Sequence, residues 1–347
     1  MTRRLAEVAS RVGVSEATVS RVLNGKPGVS DATRQAVLTA LDVLGYERPT
    51  QLRGVRARLV GLVLPELQNP IFPALAEVVG GALVQLGFTP VLCTRTAGGL
   101  TEAEYVTMLL DQQVSGVVFC GGLSSDEYQQ LLGRGVPVVL LNAAVDFAGA
   151  HRDGPPAPAA GHRVGFPQVS TDDTAAVQMA FAHLRSLGHR RIGLLVGPED
   201  HTPSQRKSAA FRVLAGRSGV AGEHRVGHAL FSFEGGQAVA SELWAAGMTG
   251  LVCGSDVIAL GAIRAARRQG LSVPGDVSVV GYDDSAFMNY TDPPLTTLRQ
   301  PIEAMARAAV TLLVNQISGN APTPKELLHE PELVVRGSTG PHRPAEG

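Results

Sequence analysis

Ala17, Ser20, Arg21 and Asn24 are spaced so that a helix would gather them on one outward face, away from the apolar stripe of Val19, Val22 and Leu23. An exposed arginine there can pair bidentately with the O6 and N7 of guanine. Its small neighbours would let the helix sit deep in a major groove, and the hydroxyls of Thr18 and Ser20 suit phosphate oxygens. A solvated face on a structural bundle is the plainer reading of the same residues. Elsewhere the acid doublets Asp172-Asp173 and Asp283-Asp284 fall at strand ends, where catalytic carboxylates occur. Paired acids there serve equally well as helix N-caps or hydroxyl acceptors. No G-x-S-x-G elbow, P-loop or H-E-x-x-H motif accompanies them, so no enzyme and no catalytic residue is expected. Cys93, Cys120 and Cys253 lie far apart in apolar runs, as buried reduced thiols do, and no metal or cofactor is expected.

Three helical patterns must position the first set. Leu5, Val8 or Ala9 and Val12 end at Gly13; the Val19 stripe follows Ser15; Val37, Leu41 and Leu44 follow Ser30. Ser15 and Ser30 are placed to cap the helices behind them, which makes a helix-turn-helix with a supporting third helix. Charge agrees: up to Arg58 there are ten basic residues against five acidic ones, and the rest of the chain is mildly acidic within a net charge of -1. A basic head on an acidic body suits a polyanion at one end. The body alternates the apolar runs RLVGLVL, TPVLCT, VSGVVFC and PVVLL with helix patterns near 72–87, 101–113 and 124–135. The rhythm then repeats with RIGLLVG, VGHAL, GLVC and SVVGY and helices near 173–188, 204–218, 234–247 and 256–270. Two doubly wound lobes with a ligand cleft beyond the strand ends follow. The Ala/Gly/Pro-rich stretch within 146–165 reads as an exposed insertion with solvated histidines. No signal-peptide core and no apolar run of about 18 residues occurs, so a cytoplasmic, nucleoid-associated protein without a membrane anchor is expected.

The run VASRVGVSEATVSRVLNGKPGVSDATRQAVLTALDVLGY resembles the DNA-binding head of the LacI/GalR family of bacterial transcriptional repressors. The likeness continues through LVLPELQNPIFPAL, SLGHRRIGLLVGP, CGSDVIALGAIRAARRQGLSVPGDVSVVGYDD and PPLTTLRQP, and its texture is nearest to maltose-type sugar regulators of high-GC actinobacteria. The resemblance implies an all-α head at 1–46, a hinge at 47–58, a periplasmic-binding-protein-like (type I) α/β body of two doubly wound parallel-sheet lobes at 59–340 with crossovers near 170, 297 and 327, and a tail at 341–347. It implies DNA contacts from Ser15, Glu16, Ala17, Thr18, Ser20, Arg21, Asn24, Ser30, Thr33 and, in the hinge, Leu52. It also implies effector contacts from Asn69, Ile71, Phe72, Asn142, Arg206, Lys207, Phe231, Asp256 and Gln300. Asp256 stands where the family's sugar-binding aspartate lies, although a plain N-cap is the alternative, and packing at a lobe edge competes for Asn142, Gln300, Phe72 and Phe231.

Two departures from the family pattern stand out. RKSAAF puts Lys207 at the usual arginine position, with Arg206 beside it, and an ammonium is a point donor rather than a planar fork. The hinge is shorter by about three residues, nearly one helical turn, and contains Pro49, so the minor-groove wedge expected of Leu52 rests on a truncated helix. The expected protein is a repressor that binds a palindromic operator as a homodimer, under control of a mono- or oligosaccharide; a solute receptor of a transport system is the alternative.

Overall fold

The computed structural model describes residues 2–23, 26–44, 58–94, 99–121, 135–143, 166–217, 224–320 and 326–342. Asn24, Leu52, most of the hinge, most of the helix expected near 124–135 and the 146–165 insertion lie outside the described residues. The chain divides into two compact units, Met1–Arg58 and Leu59–Gly347.

In the first unit α1 (Thr2–Val12), α2 (Glu16–Leu23) and α3 (Asp31–Val43) enclose Val8, Ala9, Val19, Val22, Val37, Ala40 and Leu41. Each large apolar side chain removed from water stabilises by about 1.5–3 kcal/mol, so these few carry most of so small a core. Gly13, at φ +73°, makes the turn between α1 and α2 in a conformation that a side chain would resist. Ser15 Oγ accepts from the Thr18 amide at 3.1 Å and Ser30 Oγ from the Thr33 amide at 3.2 Å, so both serines cap the helices that follow them.

The second unit starts with β1 (Leu59–Leu64), α4 (Ile71–Gln85), β2 (Thr89–Thr94), α5 (Glu102–Asp111), β3 (Gly116–Cys120), β4 (Val138–Leu141) and β5 (Gln168–Thr171). A second lobe follows: α6 (Asp173–Ser186), β6 (Ile192–Val196), α7 (Thr202–Arg217), β7 (Arg225–His228), α8 (Phe233–Ala245), β8 (Gly250–Cys253), α9 (Asp256–Arg268), β9 (Ser278–Asp283) and β10 (Thr296–Arg299). The chain then returns through α10 (Ile302–Ile317) and β11 (Glu326–His329) to the first lobe, and ends in the second with β12 (Glu332–Val334). The two sheets run β2-β1-β3-β4-β5-β11 and β7-β6-β8-β9-β10-β12, parallel throughout except for the β10–β12 pair. Strands β1, β3, β4, β6 and β8 are almost continuously apolar because helices cover both faces of a parallel sheet. The polar strands QVST and TTLR flank the points where the chain changes lobe. All three cysteines are buried and free, and burial pushes the Cys120 thiol up to about 12.

The last described segment threads into the second lobe. Ser338 Oγ donates to Val279 O at 2.6 Å and accepts from the Thr296 amide at 2.8 Å, while the buried His189 ring faces Gly340 O at 3.2 Å and stacks on His342. Burial holds His189 down to about 4. The unfolded chain takes up that proton first, so this stability is present above about pH 6.5 and is lost as pH falls toward 4. His201 is held at about 4 too, by burial first and Lys207 next, whereas Asp256, raised to about 6, acts oppositely. His189→Asn should therefore make Tm fall less steeply than in wild type between pH 6.5 and 4, read by differential scanning fluorimetry. Parallel profiles would show that the ring carries no such linkage.

Candidate nucleic-acid interface and ligand cleft

On α2 the buried Val19 and Val22 turn the opposite face outward. Ser15, Glu16, Ala17 and Arg21 are exposed there, and Thr18 and Ser20 half-buried. Two hydroxyl pairs mark the starts of α2 and α3: Ser15 Oγ lies 2.9 Å from Thr18 Oγ1, and Ser30 Oγ lies 2.8 Å from Thr33 Oγ1. Each pair shares one hydrogen, which leaves another to donate to an outside acceptor such as a phosphate, at a helix end whose dipole favours anions. Past α2, the Lys26 amide donates to Arg21 O at 3.0 Å, and Arg34 Nη2 donates to Lys26 O at 3.3 Å. These bonds fix the loop that sets α2 against α3.

In the two-lobed unit, polar side chains converge at the carboxyl ends of β4, β5, β9 and β10. Gln300 is the hub. Its Oε1 accepts from Asn142 Nδ2 at 2.5 Å and Thr171 Oγ1 at 2.6 Å, and its Nε2 donates to Asp283 Oδ1 at 2.6 Å. Beside it, buried Lys207 pairs with Asp173 and lies 4.1 Å from the centroid of the Tyr282 ring, whose hydroxyl donates to the same carboxylate at 3.3 Å. Asp283 Oδ2 is buried with no hydrogen-bond partner. Burial, then nearby Asp256, raises the Asp283 carboxyl well above the ordinary range, against the pull of Gln300, Lys207 and Asn69. Of the four described non-glycine residues with positive φ, three are Asn142 (+49°), Asp283 (+118°) and Asp284 (+56°). Such backbone costs about 1–3 kcal/mol each and gathers where a site constrains it.

The structure sorts the sequence-expected cleft residues. Asn142, Lys207 and Gln300 meet in this cluster, with buried Asn69 facing it while Asn69 Oδ1 also accepts from the Ile71 amide at 3.4 Å at the start of α4. Ile71 packs in the first-lobe core with Leu75 and Val79, and Phe72 lies half-buried against that core. Phe231 is half-buried, edge-on to His201 at 5.1 Å. Arg206 does not turn inward with Lys207; its guanidinium grips Glu326 at 2.5 and 3.0 Å. Asp256 is neither a cap nor at the cleft surface. Ser255 caps α9, and Asp256 is wholly enclosed, accepting from Thr297 Oγ1 at 2.6 Å and the Ser285 amide at 2.7 Å. It occupies the space that a side chain at Gly281 would need, which explains the glycine in VVGYDD.

Each acid doublet divides its labour. Asp172 caps α6 through the Thr174 and Ala175 amides, both at 2.9 Å, while Asp173 takes Lys207. Asp284 ties Arg299 and Arg336 at 2.7 and 2.6 Å, while Asp283 takes Gln300. Asp173, Thr171, Tyr282 and Asp283 thus belong to this buried polar cluster, although sequence reasoning did not place them among the effector contacts; the doublets at strand ends were the available signal. Among the described residues no group of three or more His, Cys, Asp or Glu could hold a metal ion.

A three-helix head with an exposed arginine face, joined to a two-lobed body with a polar hub at its strand ends, defines a one-chain transcriptional regulator. The chain belongs to the lacI family of bacterial regulatory proteins, whose pattern matches residues 4–49, and the periplasmic binding protein-like domain matches residues 181–339. It is 52% identical to the HTH-type transcriptional regulator reg1 of Streptomyces lividans over 98% of this chain and 97% of that one. It is 51% identical to the HTH-type transcriptional regulator MalR of Streptomyces coelicolor over the same shares. Among solved structures, a transcriptional regulator CelR–cellobiose complex matches with 33% identity, 96% of this chain, 99% of that chain and a TM-score of 0.69. A lac repressor dimer bound to operator and the anti-inducer ONPF matches with 27% identity, 96% of this chain, 98% of that chain and a TM-score of 0.70. No described helix is long and apolar enough to cross a membrane.

Proposed function

We propose that this regulator is a cytoplasmic repressor that binds a palindromic operator as a homodimer and changes its operator affinity when a small neutral saccharide enters the cleft. One observation carries the reading: a single chain joins an exposed Arg21 face to a buried polar hub in which Asp283 Oδ2 has no partner. Arg21 reads a guanine, and the hydroxyls at the starts of α2 and α3 position the head on phosphates. Asp283 Oδ2 accepts a sugar hydroxyl, Asn69, Asn142 and Lys207 supply donors around it, and Phe231 offers an apolar ring. Asp256 is a positioning residue that holds the turn after β9 through Ser285 and strand β10 through Thr297. We assign no catalytic step, because Lys207, Gln300, Arg299 and Arg336 engage the strand-end acids. The bound cellobiose of the CelR complex and the operator-bound lac repressor dimer support both halves of the proposal.

The test uses DNA recovered by sequencing fragments that co-purify with the protein. Trypsin should cut free protein at Arg48, Arg53 or Arg56, and the recovered operator should protect these bonds, because a hinge that folds only on DNA is closed to protease there. Leu52→Ala should weaken operator binding by a few kcal/mol at most and reduce DNA bending. A hinge equally sensitive with and without operator, with affinity and bending unchanged in Leu52→Ala, would mean that the heads bind through the major groove alone on a flexible tether.

A further inference from the structure

Arg206 and Lys207 are neighbours on α7, yet they serve different lobes. Lys207 turns into the second lobe toward Asp173 and Tyr282. Arg206 reaches across to Glu326, the first residue of β11, which belongs to the sheet of the first lobe through its pairing with β5. Both nitrogens of the guanidinium fork engage both oxygens of the carboxylate, at 2.5 and 3.0 Å, with side chains 33% and 24% exposed. Several of the other bonds near the lobe boundary gather at Gln300, which lies on a crossover and would move little if the lobes pivoted there, and Asn69 of the first lobe also meets Asp283 of the second. In the structure the third crossover lies after His329 rather than near 327, at the opposite end of β11 from Glu326, so an ion pair at Glu326 would break on such a pivot.

We infer that Arg206–Glu326 is an inter-lobe latch, specific to the present lobe arrangement, that sets the balance between this arrangement and a more open one. A bidentate pair fixes orientation as well as distance, so it favours one relative placement of α7 and β11. Because the pair is about one-third exposed, its contribution is modest and sensitive to salt. A modest contribution suffices, since an equilibrium between two arrangements follows any contact made in only one of them. Arg206 adjoins Lys207 on α7, so lobe placement and the Lys207 cation are coupled through one short stretch of helix. Under the proposed effector reading, on which this consequence rests, loosening the latch lowers saccharide affinity about three- to tenfold by depleting the binding-competent arrangement.

The latch is tested without any saccharide, which separates its failure from failure of the effector reading. Spin labels on Gln112→Cys in the first lobe and Val213→Cys in the second, both exposed positions, report the inter-lobe distance by pulsed electron resonance. Diluting labelled chains with unlabelled ones removes distances between subunits. Glu326→Gln should shift the distribution to longer distances, and the Arg206→Glu/Glu326→Arg double variant should restore it. High salt should lengthen the wild-type distance and leave that of Glu326→Gln unchanged. Superimposable distributions for wild type and Glu326→Gln, or a charge swap that restores nothing, would overturn the latch. A lowered Tm with unchanged distances would mark the pair as merely structural.

Discussion

Asp283→Asn should abolish the saccharide response while raising thermal stability at neutral pH. The asparagine can keep the bond from Gln300 but replaces the unpartnered Oδ2 with an amide nitrogen that donates and cannot accept. Losing the acceptor for a ligand hydroxyl, which is then left unpaired, costs about 1–3 kcal/mol, or roughly a 5- to 150-fold weaker effector. Stability moves the other way. The folded-state carboxyl of Asp283 lies well above its ordinary value, chiefly through burial, so the stability it lends is full below about pH 4 and is lost as pH rises through the folded value. At pH 7 the amide removes that loss, and Tm should rise by about 2–4 °C for each kcal/mol relieved. Calorimetric binding and melting on the same variant check both halves. A variant with lower Tm and an intact response would place the ligand elsewhere.

Arg21→Ala should weaken the specific operator by about 1–3 kcal/mol in each half-site and leave random DNA nearly unaffected, because it removes base reading rather than phosphate attraction. Competition at one fixed salt concentration measures both, since affinity for any DNA depends steeply on salt. Equal losses on operator and random DNA would reduce Arg21 to a phosphate contact. Val19 and Val22 anchor α2 from behind, and no described side chain hydrogen-bonds the Arg21 guanidinium, so the substitution should not disturb the head core.

Sequence reasoning reads best where one physical constraint acts on many consecutive residues. The buried runs LVGLVL and IGLLV announce parallel strands because both faces are covered, and Ser15 and Ser30 announce helix starts because amides there need acceptors. It reads poorly where partners are distant in sequence. Asp256 and Asp283 are both acids at strand ends, and only the fold shows the first enclosed by Thr297 and Ser285 and the second with an oxygen to spare. Arg206 and Lys207 cannot be told apart as neighbours in a row; Glu326, 120 residues away, draws one outward and Asp173 holds the other in. Strands β5 and β10 escape an apolar-run reading because they are short and polar, and β12 because it has only three residues, yet they build the lobe boundary.

The central claim is that ligand in the cleft changes the grip of the head on DNA. It is tested most directly by fluorescence anisotropy of a labelled operator, taken from the co-purified DNA, as the complex is titrated with neutral mono- and oligosaccharides, maltose and cellobiose among them. The account predicts a saturable change in operator affinity with at least one of these sugars in wild type and none with Asp283→Asn. Operator affinity that stays constant across the whole panel, or that responds identically in the variant, would contradict it.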